Sequence, residues 1–317
     1  MANPVNKKKL VETLKALEKE YGEGSVYSLD SKKAIMQIPR WSTGLEDLDR
    51  IIGGGIPYGR IVEISGPESA GKTSLAYHLL AQHEVSVDIP VEGTFDAQRA
   101  KVFGNKKGQL IVRRAEYGEQ CLESVMAFAE AGVPCIVIDS VPHMIPRKQF
   151  EEPDMEKENQ LGRVAAMLSS NLPKIVMKCE STHTSLIFVN QMRDIIGGFG
   201  FGPKTHTPGG WALKHACSLR LQVNRIEWIK IPNKNPKNSA GFETVGIVMK
   251  VKVLKSKVCN PLGECVLSMF FDRGFVPNDE TKAIRQEIMT ERNRKLREAR
   301  ARAKAKSYEE DEEDDDE

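Results

Sequence analysis

Residues 66–73 read Gly66-Pro67-Glu68-Ser69-Ala70-Gly71-Lys72-Thr73, a G-x-x-x-x-G-K-T run that constrains this chain more than any other feature. An apolar run at 60–65 leads in and a helical pattern at 72–81 leads out. Between a strand and a helix, a loop of this composition closes its backbone N–H groups around an anion, and the helix N-terminus adds its positive end. The spacing assigns the β- and γ-phosphates of a nucleoside triphosphate to Lys72 and a magnesium ion to Thr73, with Ser74 the next residue of the loop's helix. A second acidic ligand should end another apolar strand. Cys135-Ile136-Val137-Ile138-Asp139 supplies it, with Asp139 at the carboxyl end, where open parallel sheets bind ligands.

The surrounding pattern fits that expectation. Apolar runs at 61–64, 85–89, 111–112, 135–138, 186–189, 219–223, 245–253 and 266–271 are separated in the first half by helical stretches. Buried runs alternating with helices predict an α/β fold, a mainly parallel twisted sheet covered on both faces. The later runs follow one another without long helices and predict an antiparallel extension. Four segments result: a helix and short strand at 1–33, a core at 34–273, a basic helix at 274–306 and an acidic tail at 307–317. Leu10, Leu14, Leu17 and Tyr21 give the first helix one apolar stripe, too little to bury a core alone.

Charge is informative only when split. The chain of 317 residues carries 46 Lys and Arg against 44 Asp and Glu, a net of +2. Nine of the acids stand together at 309–317, so the rest holds 46 basic against 35 acidic residues, a net of +11. Such a body expects a polyanionic partner, and the tail could fold back on 282–306 and compete for it. Residues 282–306 hold ten Lys and Arg against three Glu; they read equally as a gatherer of duplex DNA or as a solvated helix. The six cysteines form no C-x-x-C pair and read as reduced and buried, which with the lack of a long apolar run or secretory signal predicts a cytoplasmic chain without a membrane partner.

Hydrolysis needs a group that activates water, and Glu92, just past the run at 85–89, is the best placed carboxylate. Spacing alone leaves a solvated loop Glu nearly as good a reading.

The segment Gly55-Ile56-Pro57-Tyr58-Gly59-Arg60-Ile61-Val62-Glu63-Ile64 running into the phosphate loop closely resembles the RecA family of bacterial and bacteriophage recombinases. So do Ser42-Thr43-Gly44, Leu186-Ile187-Phe188-Val189-Asn190-Gln191-Met192-Arg193 and Lys250-Val251-Lys252-Val253-Leu254-Lys255-Ser256-Lys257. The resemblance implies a RecA-like ATPase core that binds ATP and Mg²⁺, with Glu92 as the catalytic carboxylate and Asp96 at the adenine. Arg99 stands where that family has a stacking aromatic. Gln191 is implied as the sensor of the γ-phosphate, and Lys255 and Lys257 as a pair that reaches the neighbouring subunit's ATP.

Residues 193–210 contain six glycines together with Phe199, Phe201, Lys204 and His206, a composition suited to single-stranded nucleic acid. By resemblance this is a DNA loop: Arg193 opens it, Ile195, Ile196 and Gly197 approach the bases, and Gly209 and Gly210 meet phosphates. The acidic segment at about 152–160 fits a first DNA loop by position, with Arg163 behind it. Arg225, Lys250 and Lys252 are candidates for a second-strand site. The implied function is a DNA-dependent ATPase that forms a helical filament on single-stranded DNA and exchanges strands with homologous double-stranded DNA. Single-strand-binding and loading proteins are further expected partners. An ATP-binding scaffold and a hexameric helicase are the rival classes.

Overall fold

The computed structural model describes residues 5–22, 25–26, 38–93, 95–103, 108–151, 162–194, 205–232 and 242–277, with six more between 280 and 294. Two compact units divide at Pro39 and Arg40. The first contains helix α1 (Lys7–Tyr21), whose N-cap Asn6 accepts the Lys9 N–H at 3.1 Å. The strand expected at 25–29 lies mostly outside the described residues, as do the acidic tail, most of the basic helix and both loop centres.

The second unit begins with β1 (Arg40–Trp41), α2 (Glu46–Ile51), β2 (Ile56–Pro57), β3 (Ile61–Gly66), α3 (Lys72–Leu80), β4 (Val85–Pro90) and α4 (Ala97–Phe103). There follow β5 (Gln109–Val112), α5 (Gly118–Glu130), β6 (Cys135–Asp139), α6 (Arg147–Phe150), α7 (Arg163–Thr182) and β7 (Ser185–Gln191). The chain continues through β8 (Arg193–Asp194), β9 (Thr205–His206), α8 (Gly210–Ala216), β10 (Leu219–Pro232), β11 (Phe242–Ser256), β12 (Glu264–Phe270) and β13 (Gly274–Val276).

Nine strands form one sheet in the order β13-β12-β11-β10-β3-β7-β6-β4-β5. The six from β10 to β5 are parallel, and β11 to β13 extend the sheet antiparallel. Strands β3 and β6 are buried at every residue because helices cover both faces, which is why they read as unbroken apolar runs. Val62, Ile64, Val137 and Ile187 pack under Leu75 and Leu79 of α3; Ile136, Ile138, Leu186 and Phe188 pack against Val125 of α5 and Leu172 of α7. Two expectations need correction. The run at 219–223 joins the parallel set, because β10 pairs parallel with β3. The core also does not stop at 273: Gly274–Val276 adds the edge strand β13, Val276 opposite Ser268.

Candidate nucleotide and DNA site

Register gathers the site. Gly66 stands beside Gln191, Asp139 beside Val189 and Pro90 beside Asp139, so the carboxyl ends of β3, β7, β6 and β4 form one rim. The phosphate loop leaves β3 there. Its glycines have steric causes besides phosphate: a Cβ on Gly66 would lie 2.1 Å from the Val223 carbonyl oxygen, and one on Gly71 (φ +94°) 2.5 Å from Met249 Cε. Ser69 also takes positive φ, +55°, as the loop turns. Ala70 is fully buried beneath it, and Glu68 is exposed.

Lys72 is 9% exposed and donates from Nζ to the Pro67 carbonyl at 2.7 Å; burial lowers its pKa, and a neutral carbonyl is the partner that an anionic ligand would replace. Thr73 Oγ1 donates to Asp139 Oδ2 at 2.7 Å, bringing together the hydroxyl and carboxylate that the spacing separated by 66 residues. Burial pushes Asp139 up to about 6 against the pull of that hydrogen bond. A hydroxyl beside a desolvated carboxylate is a suitable oxygen donor set for a hard divalent cation.

Glu92, past β4, accepts at Oε1 from Gln191 Nε2 (2.8 Å) and from Ser140 Oγ (2.8 Å), with His143 Nδ1 3.3 Å away. It therefore stands between the phosphate rim and the strand leading to the glycine-rich loop. Neither Ser140 nor His143 was signalled by a motif; both lie in the turn after β6 and meet Glu92 only through the crossover.

Arg99 donates to Ser74 Oγ at 3.1 Å and sits 5.9 Å over the Phe103 ring. Asp96 caps α4, accepting the N–H groups of Gln98 and Arg99. A cleft of about 360 Å³ opens beside Lys72, Thr73 and Arg99, and another of about 370 Å³ beside Asp96, Arg99 and Phe103. Phe271 lines both and Trp228 walls the first, so the space beside the phosphate loop is flanked by aromatic rings. Sequence reasoning missed these two, which come from strands distant in the chain.

The second-strand trio does not assemble. In the β10–β11 register Lys250 opposes Asn224 and Lys252 opposes Gln222, whereas Arg225 opposes Met249 on the other face. Its guanidinium lies 4.0 Å over the Trp228 ring and donates to the Ser69 carbonyl at 3.2 Å. Arg225 thus lies on the phosphate-loop side of the sheet, on the face opposite Lys250 and Lys252. Lys250 pairs with Glu264 at 3.2 Å.

Lys255 and Lys257 do not approach the phosphate loop of their own chain. Lys255 Nζ donates to the Lys214 and His215 carbonyls (2.5 and 3.2 Å) and Lys257 Nζ to His215 (2.8 Å), at the C-terminal end of α8 where cations are favoured. Gly209 (φ +94°) and Gly210 (φ +68°) form the other end of that helix. Arg193 begins β8, paired with His206 of β9, and Arg163 begins α7. Ile195, Ile196, Gly197 and the segment at 152–160 lie outside the described residues.

The fold and rim define a P-loop protein with a nucleotide site at the carboxyl ends of a mainly parallel sheet. The family model described as RecA N-terminal domain matches residues 8–276. "Protein RecA" of Thermus aquaticus is 38% identical over 280 residues, 86% of this chain and 78% of that protein. Its counterpart from Thermus thermophilus is 39% identical with the same coverage, and that from Campylobacter jejuni subsp. doylei 38% over 85% of this chain and 77% of its own. The chain belongs to the RecA family.

Proposed function

We propose that the chain is a DNA-dependent ATPase and homologous recombinase that forms a filament on single-stranded DNA and exchanges strands with a homologous duplex during DNA repair. The observation that carries this reading is the Glu92–Gln191 hydrogen bond at 2.8 Å: the residue expected to act on water touches the last residue of β7, two positions before the DNA loop's first strand.

The phosphate loop and Lys72 hold the triphosphate, and the base lies between Arg99 and Phe271 near Asp96. Thr73 and Asp139 would hold Mg²⁺, which supplies charge neutralisation on the phosphate oxygens. Glu92 accepts a proton from the attacking water. With the γ-phosphate present, Gln191 turns from Glu92 toward it and orders the loop at 193–210; after hydrolysis it returns. Lys255 and Lys257 complete the neighbouring subunit's site by stabilising charge in the transition state. Gly209, Gly210 and Arg163 contact backbone phosphates, Ile195, Ile196 and Gly197 meet bases, and homology is read by base pairing because such contacts carry no sequence. The six free cysteines and the DNA substrate suit a cytoplasmic setting. Single-strand-binding and loading proteins would regulate assembly.

The test is ATP turnover with and without single-stranded DNA, run beside a strand-exchange assay. Lys72→Ala and Glu92→Gln should each lower stimulated turnover by about 100-fold or more. DNA-independent turnover, or no joint molecules from the unaltered protein, refutes the reading.

A further inference from the structure

The turn after β6 brings two side chains onto Glu92 that the phosphate motifs do not require. Ser140 Oγ is 2.8 Å from Glu92 Oε1 and 3.0 Å from His143 Nδ1, and His143 Nδ1 is 3.3 Å from the same carboxylate oxygen. The 3₁₀ turn Val141–His143, closed by the His143 N–H on the Ser140 carbonyl at 3.1 Å, sets the ring over the serine.

Proton inventory fixes the directions. An ionised carboxylate only accepts, and a serine hydroxyl has one hydrogen. Ser140 therefore donates to Glu92 and turns a lone pair to His143. An unprotonated Nδ1 would set two lone pairs against each other at 3.0 Å, so Nδ1 carries the hydrogen. That same N–H also faces Glu92. Free imidazole prefers its hydrogen on Nε2, so this tautomer is a signature of the contact.

We propose that His143 is a positioning residue for the ATPase centre: its Nδ1–H aims the Ser140 hydroxyl, which holds the Glu92 carboxylate where it takes the proton of the attacking water after Gln191 has turned to the γ-phosphate. The proposal rests on Glu92 being the water-activating base. In that step the water oxygen bonds to the γ-phosphorus, its proton passes to Glu92, and the bond to the ADP oxygen breaks. His143 touches none of the reacting atoms.

Two measurements on the full-length, nucleotide-free protein test it. The first is ¹⁵N NMR of histidine-labelled protein at about pH 8, with the His143 signals assigned by their loss in His143→Asn. A protonated Nδ1 with a bare Nε2 in the unaltered protein is expected; an Nε2–H tautomer there overturns the proposal. The second is DNA-stimulated turnover. His143→Leu should lower kcat about tenfold with KM for ATP within about twofold, and His143→Asn, whose amide N–H reaches the Nδ1 position, should recover most of it. A His143→Leu protein with normal kcat, alongside an inactive Glu92→Gln, overturns the positioning role alone. Normal turnover in Glu92→Gln overturns the base assignment beneath it.

Discussion

Glu63 lies in the centre of the sheet, fully buried, and its charge is met by Arg220. Arg220 Nε donates to Glu63 Oε2, while Asn190 Nδ2 donates to Oε1 at 2.8 Å. The same Asn190 amide donates to the Pro208 carbonyl at 2.9 Å, just before Gly209 and Gly210. Arg220→Met would leave a buried carboxylate with a single neutral donor, the situation that costs about 3–5 kcal/mol. Adding Glu63→Gln removes the stranded charge, and the double variant should regain about 2 kcal/mol. Urea unfolding without nucleotide or DNA reads both values, provided the m-values agree. Single-stranded DNA binding should weaken in the single variant as the Pro208 anchor loosens. An Arg220→Met cost below about 1 kcal/mol, or no recovery in the double variant, would refute the reasoning that this charge depends on Arg220.

Two further predictions follow from other parts of the molecule. Asp88 is fully buried and neither carboxylate oxygen has a protein partner. Burial pushes its pKa from 3.8 to about 8, with Asp139 adding to the rise. The folded protein therefore keeps a proton that the unfolded chain releases above about pH 4, and stability falls as pH rises toward 8. Asp88→Asn should raise Tm by about 3 °C or more at pH 8, with the gain shrinking toward pH 4; a pH-independent gain contradicts this. For the subunit boundary, the double variant Lys255→Ala/Lys257→Ala is mixed in equal amounts with Lys72→Ala. Head-to-tail assembly leaves about one quarter of interfaces with both halves intact, so turnover should rise toward a quarter of the unaltered value. No rise above the average of the two inactive proteins places the lysines' role elsewhere.

How much of this was legible in sequence depended on locality. The phosphate loop is contiguous and Asp139 ends an apolar run, so their places on the rim followed from strand polarity; for Glu92 spacing left a solvated loop residue nearly as good a reading, and the family resemblance chose between them. The place of Arg225 followed from neither, because one residue of register sends a side chain to the opposite face, and the pairing of Arg225 with Met249 appears only when β10 and β11 are aligned. The strand β13 is three residues long and begins at a glycine, too short for a period. Ser140, His143, Trp228 and Phe271 reach the site through crossovers and hairpin pairing, contacts that no local spacing encodes.

The central claim is that the Glu92–Gln191 contact couples the nucleotide to the DNA loop, and linkage measures it directly. Anisotropy of a labelled single-stranded oligonucleotide, with ADP or with a non-hydrolysable ATP analogue, is read for the unaltered protein and for Gln191→Ala. The analogue should tighten DNA binding about tenfold or more over ADP in the unaltered protein, falling to about twofold or less in Gln191→Ala. Full coupling retained by Gln191→Ala would contradict the account.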